Sequence, residues 1–404
     1  MSGLQAGKYL KQNGIKNFII LEKRSEVIRN NSWKTFKHTI DRFDLADCVF
    51  QDLDQIHFRT FNLEELEVLT DEIQDIKCYV LDSRRVYQKM LDYVGDNLKT
   101  NEEVVDIIDW SKSDIHSKDD SGFQFLVKTS AGHEYDADIL IDASGPFSVT
   151  EKLVFNNQFT QKAWYTCYSK RYTGCNVEPI KNSATFDFDQ PFECAGCWVY
   201  PIDENTAEIG VARFSSEKEL ANPQQVEKIE NLLERYKKLS PYNEVFQDAS
   251  EIDLATGYTP LVPKIDIMKN NIYFIGDSKG AVPWSGYGID NALNSAVECV
   301  DSIIRGKKYK YYVAPPSKGL GILRILWSLG EKFRLAATGI SMLNRKEVFK
   351  FYTGKIDLSF FFHCAKISRS QNINTLELIP ISLLLRLLFG LKPTQKHLNF
   401  VKAN

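Results

Sequence analysis

A mixed α/β fold is what the sequence predicts, and three separated stretches predict it. Residues 3–13 read as a helix with Leu4, Gly7 and Leu10 near one face, and Gly14 stops it. The apolar run FIIL at 18–21 then reads as a strand buried on both faces, with Glu22 at its end. A second run, ADILIDASG at 137–145, is a buried strand entering a tight glycine turn after Asp142. The third, NIYFIGDSKGAVPWSGYGIDNA at 271–292, takes an apolar strand into Gly276-Asp277, a loop with three further glycines, and a helix from about Ile289. Strands ending in acids beside glycine turns are the working parts of a Rossmann-like nucleotide-binding domain.

Between these parts the pattern changes. Strands are expected at 78–81, 104–110 and 123–129, with a helix carrying Tyr87 and Leu91 after the first. From about 151 to 256 a second unit emerges, with strands at 163–172, 196–201 and 208–214 and a polar helix over 222–238. The remainder after 304 reads as mostly helical, and the chain shows no internal repeat.

Composition narrows the function classes. The 404 residues are 43% hydrophobic and 25% charged, an ordinary globular balance. Eight scattered cysteines without paired spacing suit a reducing, cytoplasmic setting better than a disulfide framework. No secretory h-region and no stretch of eighteen apolar residues is present. The formal net charge of −3 hides a split. Residues 307–404 hold 17 Lys and Arg against four acids, which leaves 33 basic and 49 acidic side chains in the first 306 residues. That basic quarter either faces an anionic partner or docks on the acidic body of its own chain.

The glycine stretches have a shared chemistry. At Gly3, a missing side chain lets a helix N-terminus approach a pyrophosphate, whose charge the aligned N–H dipoles favour. Glu22 is placed to accept hydrogen bonds from ribose hydroxyls. Asp142 and Gly145 bring backbone near a cofactor, or else form a plain strand-to-loop turn. After Gly276, Asp277 suits a ribityl hydroxyl, and the amides of Gly286, Tyr287 and Gly288 suit negative charge on a reduced isoalloxazine ring.

The order LEKR, SRRVYQKML, IDASG and GDSKGAVPWSGYGIDNAL resembles the FAD-dependent oxidoreductases of the p-hydroxybenzoate hydroxylase fold, over roughly residues 1–310. Within them, GCWVYP at 196–201 followed by AEIGVA at 207–212 is similar to the Trp-x-aromatic-Pro segment of geranylgeranyl reductases, which lines an isoprenoid cavity. The resemblance implies a substrate-lining role for Trp198, Tyr200 and Pro201, to which Trp284 beside the flavin loop is added. It implies Arg84 near the cofactor phosphates and Val105 as a backbone contact to adenine. It also implies that a first strand and two leading glycines belong ahead of Met1, so that the chain reads as truncated. The expected divisions are a discontinuous FAD-binding domain (1–36, 82–150 and 257–306), a substrate-binding domain (37–81 and 151–256) and the basic helical region 307–404.

The implied activity is reduction of polyprenyl double bonds by flavin hydride, with NAD(P)H or a ferredoxin-type protein as donor and no catalytic side chain assigned. On the same fold, a flavin monooxygenase, a halogenase or a lycopene-cyclase-like enzyme is the alternative, as is a cofactor-free lipid-associated protein. The apolar, charge-broken segments at 321–327 and 376–389, with Lys392, Lys396 and Lys402 nearby, suit an interfacial helix on an anionic leaflet, peripheral on the inner membrane face, or a cap closing a hydrophobic tunnel. Cys194 and Cys197 have metal-like spacing but no second close pair, and the histidines are scattered, so no metal is expected. No recognisable nucleic-acid module is present.

Overall fold

A computed structural model describes residues 1–112, 122–156, 164–189, 196–215, 219–260, 267–280 and 288–310. The first helix, Ser2–Gln12, forms where the sequence predicts, and Gly14 at φ +81° ends it. Leu4 faces a core with Val86, Met90 and Leu293, while Ala6 and Leu10 face another with Tyr273, Ile275 and Cys299. Beneath this helix lie two parallel strand pairs. Ile20–Glu22 pairs with Leu98–Thr100, and Leu140–Asp142 pairs with Ile272–Phe274. Among the described residues the two pairs are not hydrogen-bonded to each other. The expected doubly buried strand at 18–21 is accordingly shorter and only half-buried, with Ile19 exposed. The far side of both pairs is covered by the antiparallel strands Val104–Asp109, Phe125–Thr129 and Glu134–Ala137, whose Ile107, Phe125 and Val127 meet Leu21, Leu140 and Phe274.

Two longer helices complete this body. Ser83–Val94 is started by Asp82, whose carboxylate accepts the Arg84 N–H at 2.9 Å, and it buries Val86, Tyr87, Met90 and Val94. Gly288–Arg305 packs along Ser2–Gln12 through Leu293, Ala296 and Val300.

The second unit is a seven-stranded sheet. Its order is Ser250–Pro260, Trp164–Thr173, Thr206–Ser215, Gly196–Pro201, Ser183–Asp189, Gln55–Asn62 and Glu67–Gln74, antiparallel except where Ser183–Asp189 runs parallel to Gln55–Asn62. One face is roofed by the helix Pro223–Tyr236, which Asn222 caps and whose Ile229, Leu232, Leu233 and Tyr236 are buried. Each such side chain contributes about 1.5–3 kcal/mol on burial. Residues 37–81 do not act as one piece. Ile40, Phe43, Leu45, Cys48 and Leu81 sit in the core of the first unit, and only the hairpin of Gln55–Asn62 and Glu67–Gln74 joins the large sheet. A three-stranded patch, Ser32–Phe36, Cys78–Asp82 and Val49–Leu53, lies between the two units.

Candidate functional site

The three predicted stretches meet at the N-terminus of helix Ser2–Gln12. A Cβ on Gly3 would stand 3.2 Å from the Ala143 Cβ, so the helix start rests against the end of strand Leu140–Asp142. Gly276 has φ +58°, and a Cβ there would lie 2.5 Å from the Ser2 Oγ, so a side chain is excluded on both conformational and steric grounds. The Ile275 N–H donates to the Asp142 carbonyl at 3.0 Å, and the Ser278 hydroxyl donates to the same oxygen, locking the two turns together. Glu22, Asp277 and Arg29 all lie within electrostatic reach of the Met1 nitrogen. Burial pushes the Asp277 carboxyl up to about 6, against the pull of Arg29 and Lys279. Bare backbone, a helix start and two strand-end acids thus share one small region.

The other expected cofactor contacts divide. The Asp142 carboxylate is taken up by its own loop: it accepts from the Ser144 N–H at 2.9 Å, from the Ser144 and Ser148 hydroxyls at 2.6 Å each, and from both N–H and hydroxyl of Thr150. That uses every acceptor position of a carboxylate. The side chain therefore builds the turn, and the Asp142 carbonyl ties it to the Ile275–Ser278 turn. Gly145 supplies the positive φ of +88° that the turn needs. Arg84 is exposed at its helix start, held by Asp82 through its Nε at 3.4 Å. Val105 sits at an irregularity in its strand and is 49% exposed. Gly288 opens the helix Gly288–Arg305; Gly286, Tyr287 and Trp284 lie outside the described residues, as do Cys194 and the basic region beyond residue 310.

On the large sheet, register sorts the proposed substrate wall. Trp198 pairs with Phe186 and Gly210, and Phe186 with Phe58, so these residues form a row on the face away from the helical roof. The Trp198 ring crowds Gly210, where any Cβ would overlap it. One step along, Tyr200 pairs with Glu208. Pro201 has the opposite parity, that of Val199 and Ala207 in the roofed core, so it does not join Trp198 and Tyr200.

A polar cluster unanticipated from sequence organises this wall. The Glu208 carboxylate accepts from the Tyr200 hydroxyl at 2.9 Å, from the Trp198 Nε1–H at 3.3 Å, and from the Ser32 hydroxyl. Burial beside Glu208 raises the Tyr200 pKa well above its usual value. The Arg171 Nη2 lies 3.9 Å from Glu208, and its Nη1 donates to Asn30 at 3.4 Å across a small recess that Asp253 also lines. Strand Ser32–Phe36 faces both units: Trp33 and Thr35 turn to the first, toward Tyr87 and Asp290, while Ser32 and Lys34 turn to the sheet. The lone acid in the apolar run AEIGVA is a sequence signal for Glu208; Lys34 carries none.

Asp290 closes the arrangement near Gly288. It is buried, accepts from Thr35 at 2.6 Å and from Thr39, and has its carboxyl pushed up to about 6 by burial.

No protein-family model and no curated protein matches the chain. Solved structures do. A geranylgeranyl bacteriochlorophyll reductase-like protein from Thermoplasma acidophilum superposes with a TM-score of 0.60 at 15% identity, over 90% of this chain and 92% of that one. A flavin-dependent brominase gives 0.55 at 16% identity, over 91% and 95%. Aklavinone-11 hydroxylase, in a ternary complex with FAD and aklavinone, gives 0.53 at 11% identity, over 83% and 66%. The likeness is one of architecture, and the chain has the mixed α/β fold that FAD-dependent oxidoreductases of this kind share.

Proposed function

We propose that the chain is an FAD-dependent oxidoreductase that reduces isolated double bonds of a polyprenyl lipid of geranylgeranyl type. The observation that carries the reading is the meeting of Gly3, Glu22, Asp277 and the Asp142 turn at one helix start. These residues fit the cofactor: Gly3 and Gly276 leave room for close approach, the helix dipole suits a pyrophosphate, and Glu22 and Asp277 suit sugar and ribityl hydroxyls. Gly286, Tyr287 and Gly288 would serve the ring, Arg84 the phosphates, and Val105 the adenine. When bound, the flavin supplies hydride. The aromatic row of Phe58, Phe186 and Trp198, with Tyr200 beside it, supports an apolar acyclic substrate laid along the sheet. NAD(P)H or a ferredoxin-type protein is the proposed electron donor.

The basic region 307–404 is proposed to rest on an anionic membrane surface from the cytoplasmic side, where such a lipid resides. No helix among the described residues is long and apolar enough to cross a membrane.

Purified protein should be yellow with stoichiometric FAD, and after reduction it should saturate geranylgeraniol, read by mass spectrometry. Colourless protein that takes up no FAD overturns the reading. The brominase and hydroxylase folds support a second reading, an oxygen-using flavin enzyme. Substrate-stimulated, oxygen-dependent NAD(P)H consumption without double-bond reduction would select it.

A further inference from the structure

Reducing an alkene takes a hydride at one carbon and a proton at the other, and the proposed activity so far lacks a proton source. The Lys34 Nζ is buried and makes no hydrogen bond among the described residues. It stands 3.3 Å from the centroid of Phe186 and 5.5 Å from that of Tyr200, on the aromatic face that carries Trp198. The next residue, Thr35, bonds to Asp290, two positions beyond Gly288. Lys34 itself turns the other way, onto the proposed substrate wall. A structural lysine in such a place would pair with a carboxylate. Glu208, the carboxylate that acts on the amine, already accepts from Ser32, Tyr200 and Trp198.

Resting on the polyprenyl-reductase reading, we infer that Lys34 is the proton donor for alkene reduction. The ammonium N–H bond breaks as a C–H bond forms at the carbon next to the one that accepts hydride from reduced flavin. The π pair is consumed, and the neutral amine regains its proton from water. Around Lys34, Glu208 and Tyr200 face it from the sheet and Cys78 from the adjoining strand, with Arg171 behind Glu208. Burial keeps the Cys78 thiol neutral, at about 11. Burial also lowers the Lys34 amine to about 7, the pull of Glu208 notwithstanding, which makes it an acid suited to neutral pH.

Two measurements on the full chain test this. With nitrogen-15-labelled lysine, the signal absent from Lys34→Met should titrate near 7 in wild-type protein; titration near the ordinary 10.5 overturns the proposal. In single turnovers of prereduced, FAD-loaded protein with geranylgeraniol, Lys34→Met and Lys34→Gln should oxidise flavin about 10²-fold or more slowly. The wild-type rate should fall above pH 7, and the residual rate of the variants should not. Variants with full FAD content and wild-type rates sink Lys34 alone. Protein without FAD sinks the cofactor reading, and the inference with it.

Discussion

The two faces of the seven-stranded sheet solve the burial of charge in opposite ways. Under the helical roof, Arg59 and Asp187 form a bidentate pair, Nε to Oδ1 at 2.8 Å and Nη2 to Oδ2 at 2.7 Å. Tyr236 and Tyr242 donate to the same carboxylate, and the Arg59 Nη1 donates to the Ser240 carbonyl. Burial alone would weaken the guanidinium's hold on its proton, yet Asp187 more than offsets this and raises its pKa. Every partner is supplied from within. Across the sheet, Glu208 is well supplied with donors, while Lys34 and the Arg171 Nε have no hydrogen-bond partner among the described residues. A closed network fixes a fold; a buried donor without an acceptor leaves its desolvation unmatched by hydrogen bonding.

The contrast can be broken from the roofed side first. Asp187→Ala strands a buried guanidinium and should cost about 3–5 kcal/mol in urea unfolding. The double variant Arg59→Met, Asp187→Leu should recover most of it; equal losses would mean that packing, and not charge, dominates there.

A smaller effect, read against pH, belongs to the open face. The folded-state pKa of Lys34 is lowered, so the unfolded chain binds more protons between about 7 and about 10.5, and stability should rise with pH through that window. Lys279, also lowered to about 7 by burial, adds to the same rise. Lys34→Met should flatten part of the rise in denaturation midpoints, and an unchanged slope would remove Lys34 from the account.

Two packing tests sharpen the open face further. Gly210→Ala places a methyl group against the Trp198 ring and should cost about 1–3 kcal/mol, with a change in Trp198 fluorescence absent from a Trp198→Phe background. Ser32→Ala should cost about 1 kcal/mol, because Glu208 keeps Tyr200 and Trp198 as donors.

How much of this was legible differs by element. Helices 2–12, 83–94 and 223–236 lie where the sequence places them, while the Asp82 and Asn222 caps emerge only in the structure. Strand 196–201 lies where the sequence places it. Strands Ser183–Asp189 and Ser250–Pro260 were not anticipated, since each depends on neighbours distant in sequence. Asp142 shows the limit at a site. Its place beside a turn is readable, but whether its carboxylate faces a ligand depends on Ser148 and Thr150 folding back on it.

Local rules determined what the sequence settled alone: the α/β class, the glycine turns and the acids at strand ends, because periodicity and backbone freedom act over a few residues. Tertiary structure decided which face each strand residue takes and which buried charges find partners. Glu208 gathered Ser32, and Lys34 came to lie on the ring of Phe186, through contacts that span up to 176 residues of chain.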